Sequence, residues 1–120
     1  MPRSPEYPLS PEEMRRRLSA MRDGYRQRAP GKIAEIEALW QMVRTVGYEH
    51  PARSELMLAA HTMVGSAPTL GCEALGAAAK ALEAALRKIF ARAQPLSDSE
   101  TEEIARLVAA LGASLRDPLG

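Results

Sequence analysis

The sequence predicts an all-α fold: an antiparallel four-helix bundle with an additional N-terminal helix or a kinked helical extension. Composition points there first. Of the 120 residues 21 are alanine, only 4% are aromatic, and Leu, Glu, Arg and Met supply much of the rest, so helix formers abound and strand formers are scarce. Apolar residues then recur at three- and four-residue spacing through most of the chain, as one face of a helix requires. Finally, proline, glycine and serine punctuate these stripes at intervals that suit helices of 15–20 residues joined by short loops.

Residues 1–10 carry three prolines and no periodicity and read as a flexible leader; residues 11–117 read as a single domain. Ser10-Pro11-Glu12-Glu13 is a helix start, with a serine cap, proline in the first turn and glutamate three residues on. Met14, Leu18, Met21 and Tyr25 form a stripe whose phase continues through Ala29 to Ile33, Ile36, Trp40 and Val43. Pro30-Gly31 interrupts it, because proline removes a donor and crowds the preceding turn. Two helices (about 11–28 and 31–46) or one kinked helix both satisfy the pattern. Thr45 to Pro51 is a loop, and a further helix runs from about 52 to 67, ending near Pro68. The alanine-rich stretch at about 72–93 turns Leu75, Ala79, Leu82, Leu86, Ile89 and Ala93 inward, and Gln94-Pro95 breaks it. Ser97-Asp98-Ser99-Glu100 offers another capping box for a last helix at about 98–115, lined by Ile104, Leu107, Val108, Leu111 and Leu115.

Sixteen basic and fifteen acidic side chains leave a formal net charge of +1, so no global field draws the chain to nucleic acid or anionic lipid. The lone cysteine, Cys72, has no internal disulfide partner and no metal-ligand spacing around it, which suits a reducing compartment. The N-terminus lacks a signal-peptide apolar core, and no apolar run approaches the ~20 residues that span a bilayer. The expectation is a soluble, cytoplasmic monomer without nucleic-acid or membrane partners.

On a wheel of 100° per residue, Leu56, Ala59, Ala60, Met63, Ala67 and Leu70 fall within about 60° of one direction and form a core face. His61 lies roughly 150° away, pointing into solvent. Its neighbours on that outer face are Met57, Leu58, Val64, Gly65 and Pro68. An outer helix face is normally charged, whereas this one is apolar and small around one imidazole, the composition of a contact surface. Glycine in mid-helix costs about 1 kcal/mol relative to alanine, and Gly65 sits one turn after His61, where a missing side chain gives a partner access.

The run Leu58-Ala59-Ala60-His61-Thr62-Met63-Val64-Gly65-Ser66-Ala67, followed by Thr69-Leu70-Gly71, resembles the signature of histidine-containing phosphotransfer (HPt) domains. That pattern has Ala-His, an apolar residue two on, Lys-Gly-Ser and then Leu-Gly. The histidine, glycine and serine match at His61, Gly65 and Ser66, and the Leu-Gly at Leu70-Gly71. The resemblance extends through Glu73 to Lys88 and, more loosely, back to Ile33–Val43. It implies a phosphocarrier that takes a phosphoryl group on His61 from a receiver-domain aspartate and passes it to another receiver. The implied partners are a response-regulator receiver domain or a hybrid histidine kinase, with Met57, Leu58, Val64, Gly65 and Pro68 as the docking rim. No cofactor is implied for this chain; the Mg²⁺ belongs to the receiver. An exposed neutral imidazole is a competent nucleophile, and phosphoryl transfer needs mainly positioning and charge stabilisation.

One departure stands out. The family has lysine three residues after the histidine, and this chain has Val64. Lys80 or Arg87 from the next helix are candidate substitutes for supporting the phosphoryl charge, and Ser66 flanks the same helix. The departure also admits a scaffold that binds a receiver or kinase without carrying phosphate, and, beyond that, a helical interaction domain with no receiver partner. Elsewhere the chemistry is thin. His50 beside Pro51 reads as a surface loop residue, Trp40 as core, and Cys72 as a small packed side chain. Glu100, Glu102 and Glu103 suit a helix N-terminus. Arg15, Arg16, Arg17, Arg22, Arg26 and Arg28 give the first helix a basic outer face, either solvated or a dock for an acidic partner.

Overall fold

A computed structural model describes residues 9–45, 51–92 and 94–116. They form four helices, α1 (Pro11–Thr45), α2 (Ala52–Thr69), α3 (Glu73–Phe90) and α4 (Asp98–Leu115). Each helix packs on its sequence neighbours, α4 closes the ring against α1, and the diagonal pairs do not meet. The bundle predicted from periodicity is the one observed.

The first two expected segments are one helix. α1 runs through Pro30-Gly31 without a break. Pro30 is on the solvent side, while Tyr25, Ala29, Ile33 and Ile36 on either side of it are buried in the core. A proline inside a helix costs about 3 kcal/mol; burying two isoleucines and an aromatic ring on the same stripe offsets that, at about 1.5–3 kcal/mol each. The core-facing stripe also ends earlier than its phase suggests. Met14, Leu18 and Met21 keep the spacing of Tyr25 and Ala29 but are exposed. The reason is length. At 1.5 Å per residue α1 is about 52 Å long, against about 27 Å for each of its 18-residue neighbours, so its N-terminal turns overrun the bundle. The overall extents, 62 × 34 × 20 Å, show the same overhang.

Within the bundle the expected stripes are buried. Leu56, Ala60, Met63 and Ala67 of α2, Leu75, Ala79, Leu82, Leu86 and Ile89 of α3, and Ile104, Val108 and Leu111 of α4 surround Trp40, with Ala59, Leu70, Leu107 and Leu115 half-buried at the margins. Cys72 is fully buried, as a small packed side chain. Arg53 ties the start of α2 to the end of α3, donating to the Gln94 carbonyl at 3.0 Å and stacking over Phe90.

The helix ends follow their local chemistry. Ser10 Oγ accepts the Glu13 N–H at 3.1 Å. At α4 both halves of the capping box form, Ser97 Oγ accepting from the Glu100 N–H and Glu100 accepting from the Ser97 N–H. That backbone bond from Ser97, aided by Arg92, holds the Glu100 carboxyl below its ordinary value. α2 extends past Pro68 to Thr69 and turns at Gly71, whose φ of +88° favours glycine. Residues 1–8, 46–50, 93 and 117–120, and with them most of the leader, His50 and Ala93, lie outside the described residues.

Candidate functional site

The middle of α2 faces outward between α1 and α3, and His61 stands there with its side chain 65% exposed. The core side of the same turn is held by Ala60 and Met63, which are buried, so the imidazole direction is fixed by packing behind it. Exposure is not the whole description. His61 Nδ1 lies 2.5 Å from Glu83 Oε2 of α3, and Arg87 Nη2 donates to that same oxygen at 2.9 Å. The expected imidazole standing wholly in water is therefore tethered on one edge.

Glu83 was not singled out by sequence reasoning, and it is the residue that organises the site. It is 7% exposed, a carboxylate inside an otherwise apolar helix face. A buried carboxylate requires partners, and Arg87, one turn on, and His61 supply them. An ionised carboxylate can only accept hydrogen bonds, so the hydrogen of a neutral imidazole resides on Nδ1. Nε2 then carries the lone pair, and among the described residues no hydrogen bond to Nε2 is formed. The result is an oriented ring with one nitrogen left open.

Two contacts fix how α2 and α3 run past each other. His61 meets Glu83, and seven residues further along α2 Pro68 meets Gly76, seven residues back along α3. A Cβ built on Gly76 would come within 2.5 Å of the Pro68 ring, so glycine is what lets the helices close there. In this antiparallel register Lys80 stands across from Val64, and Arg87 across from Met57. Lys80 is exposed one turn before Glu83.

The expected rim is partly open and partly packed. Leu58 is 64% exposed, and a Cβ on Gly65 would meet nothing within 4 Å. Met57 and Val64 are half-buried against the core, and Pro68, though exposed, is seated on Gly76. Ser66 is a different matter. It lies about 140° round α2 from His61 and its Oγ bonds the Tyr25 hydroxyl of α1 at 2.9 Å. That bond fastens α1 to α2 and turns Ser66 away from the His61 side of the helix. Between those helices runs a groove of about 580 Å³ lined by Ile36, Leu39, Leu58, Thr62 and Ser66 among others.

Among the described residues no group of three His, Cys, Asp or Glu could hold a metal ion, and no helix is long and apolar enough to cross a membrane. No curated protein and no solved structure matches the chain. Four helices in a ring serve many purposes, but the Hpt domain family model matches residues 12–114, which takes in all four almost end to end, and the chain therefore belongs to the Hpt domain family.

Proposed function

We propose that the protein is a phosphocarrier of a two-component phosphorelay with His61 as the phosphoacceptor. The observation that carries this is the pairing of exposure with restraint: a ring two-thirds open, one nitrogen tied to Glu83 and the other unbonded. The Nε2 lone pair attacks the phosphorus of a receiver's aspartyl phosphate in line. The aspartyl oxygen–phosphorus bond breaks and its electrons return to the carboxylate. The imidazole becomes a phosphorylated imidazolium whose Nδ1–H faces Glu83, and that carboxylate stabilises the charge. Transfer to a second receiver reverses the same bonds. Mg²⁺ and the acidic cluster that holds it belong to the receiver. Leu58, Gly65 and the flanking Met57, Val64 and Pro68 form the surface on which the receiver seats. Lys80, across from Val64 in the helix register, supplies the cation that the family carries on α2, with Arg87 as the other source.

The protein is incubated with a phosphorylated receiver domain, and acid-labile, base-stable label is followed on the chain. Label is expected on the parent and none on His61→Gln; equal labelling of the two sinks the assignment.

Val64 favours a second reading, a scaffold that docks a receiver or kinase without accepting phosphate. It predicts receiver binding with no label and no change on His61→Gln.

A further inference from the structure

The overhanging turns of α1 present a surface that the phosphocarrier role does not use. Met14, Leu18 and Met21 are 50%, 41% and 54% exposed, and they continue the stripe that is buried from Tyr25 onward. A core-facing stripe has thus run off the end of its core. Its flanks are of one sign. At 100° per residue Arg15, Arg17 and Arg22 lie within about 90° of the stripe's centre, while Glu12, Glu13 and Asp23 all lie more than about 100° from it. The methylenes of Arg22 rest over Gly71, which anchors this edge to the end of the bundle. The segment is also a preformed helix, capped at Ser10 and continuous with the packed half of α1, so a partner need not order it.

The arginines decide what fits. A second copy laid along the stripe, parallel or antiparallel, sets arginine against arginine on both flanks, and like charges at such positions repel. A helix with an apolar face edged by Glu or Asp avoids that repulsion: its apolar residues cover Met14, Leu18 and Met21 and its carboxylates face the three guanidiniums.

We propose that the N-terminal overhang of α1 is a docking site for an acidic-edged amphipathic helix of another protein. The site is separate from His61, which lies about 18 Å further along the bundle axis, on the α2 face toward α3, by the rise of α1 from Leu18 to Tyr25 and of α2 from Ser66, level with Tyr25, to His61.

The 120-residue chain is titrated against two fluorescently labelled three-heptad peptides, both with leucine in the apolar stripe, one with glutamate and one with lysine at the flanking positions. The glutamate peptide is expected to bind about tenfold more tightly, the sum of three exposed charge pairs, and to weaken several-fold on going from low to high salt. Leu18→Glu removes that binding and Arg17→Glu weakens it several-fold, neither moving the thermal melt, because both side chains are exposed. His61→Gln binds the peptide like the parent, so failure here and failure of the phosphocarrier reading are told apart. Equal binding of the two peptides, binding of neither, or a dimer of the chain that Leu18→Glu dissolves overturns the proposal.

Discussion

Glu83 makes both its contacts through one oxygen, to His61 and to Arg87, so removing it separates orientation from charge at the imidazole. Glu83→Ala frees the ring to rotate and to exchange tautomers, and phosphoryl transfer from a receiver is expected to slow by about 10–100-fold, the usual effect of losing a side chain that orients a reactive histidine. Glu83→Gln keeps an oxygen acceptor for Nδ1–H but not the negative charge, and should fall between Ala and the parent. Single-turnover rates at saturating receiver measure both. If Gln and Ala are equally slow, charge alone matters; if neither changes the rate, the tether is structural. His61 itself was legible in the sequence, because an imidazole amid Leu58, Val64 and Gly65 breaks the rule that outer helix faces are charged. Glu83 left the inverse sign: a carboxylate one residue from Leu82, in phase with Gly76, Ala79 and Leu86, all buried. A lone acid inside an apolar stripe asks which cation or donor satisfies it, and that answer lies on another helix, out of reach of periodicity.

Two glycines on the α2–α3 pair play opposite parts. At Gly76 a methyl group would collide with the Pro68 ring, and Gly76→Ala is expected to destabilise the fold by about 1–3 kcal/mol, as overpacking does. At Gly65 a methyl group meets nothing, so Gly65→Ala should stabilise by up to about 1 kcal/mol through helix propensity. Yet it narrows access beside His61, and receiver affinity should fall. Denaturant midpoints with unchanged slopes measure the first effect, and receiver titration the second. A Gly65→Ala protein that is more stable and docks as well as the parent would show that the open position serves no partner. The sequence marked Gly65 as an open position on an outer face but left Gly76 unmarked, since only the facing helix reveals a close approach. Pro30 teaches the same lesson in reverse: read locally it breaks or kinks α1, but the buried residues on either side hold one helix through it.

At the scale of the whole molecule, α1 consists of two halves with different reasons to be helical. From Tyr25 to Val43 its inner face is core, and opening it requires opening the bundle. Before Arg22 the stripe is buried by no other helix among the described residues, and helicity rests on the Ser10 cap, the acidic first turn and propagation from the packed half. The bundle was readable because each stripe fixes the inward face of its own helix. The overhang was not, since a stripe carries phase but not the length of what it packs against; only comparing 35 residues of α1 with 18 of α2 reveals that part of it runs past the helices beside it. Native-state hydrogen exchange on the isolated chain should therefore divide α1. Amides from about Ala29 to Val43 should exchange only through global unfolding, with protection near the full stability of the domain. Those from Arg15 to Met21 should exchange through local fraying with free energies of order 1–2 kcal/mol or less. Adding an acidic-edged helical peptide should raise protection of the second group by the mass-action factor and leave the first group unchanged. Uniform protection along all of α1 in the isolated chain, independent of protein concentration, would mean that the N-terminal turns are held by the domain itself and that the division of α1 is wrong.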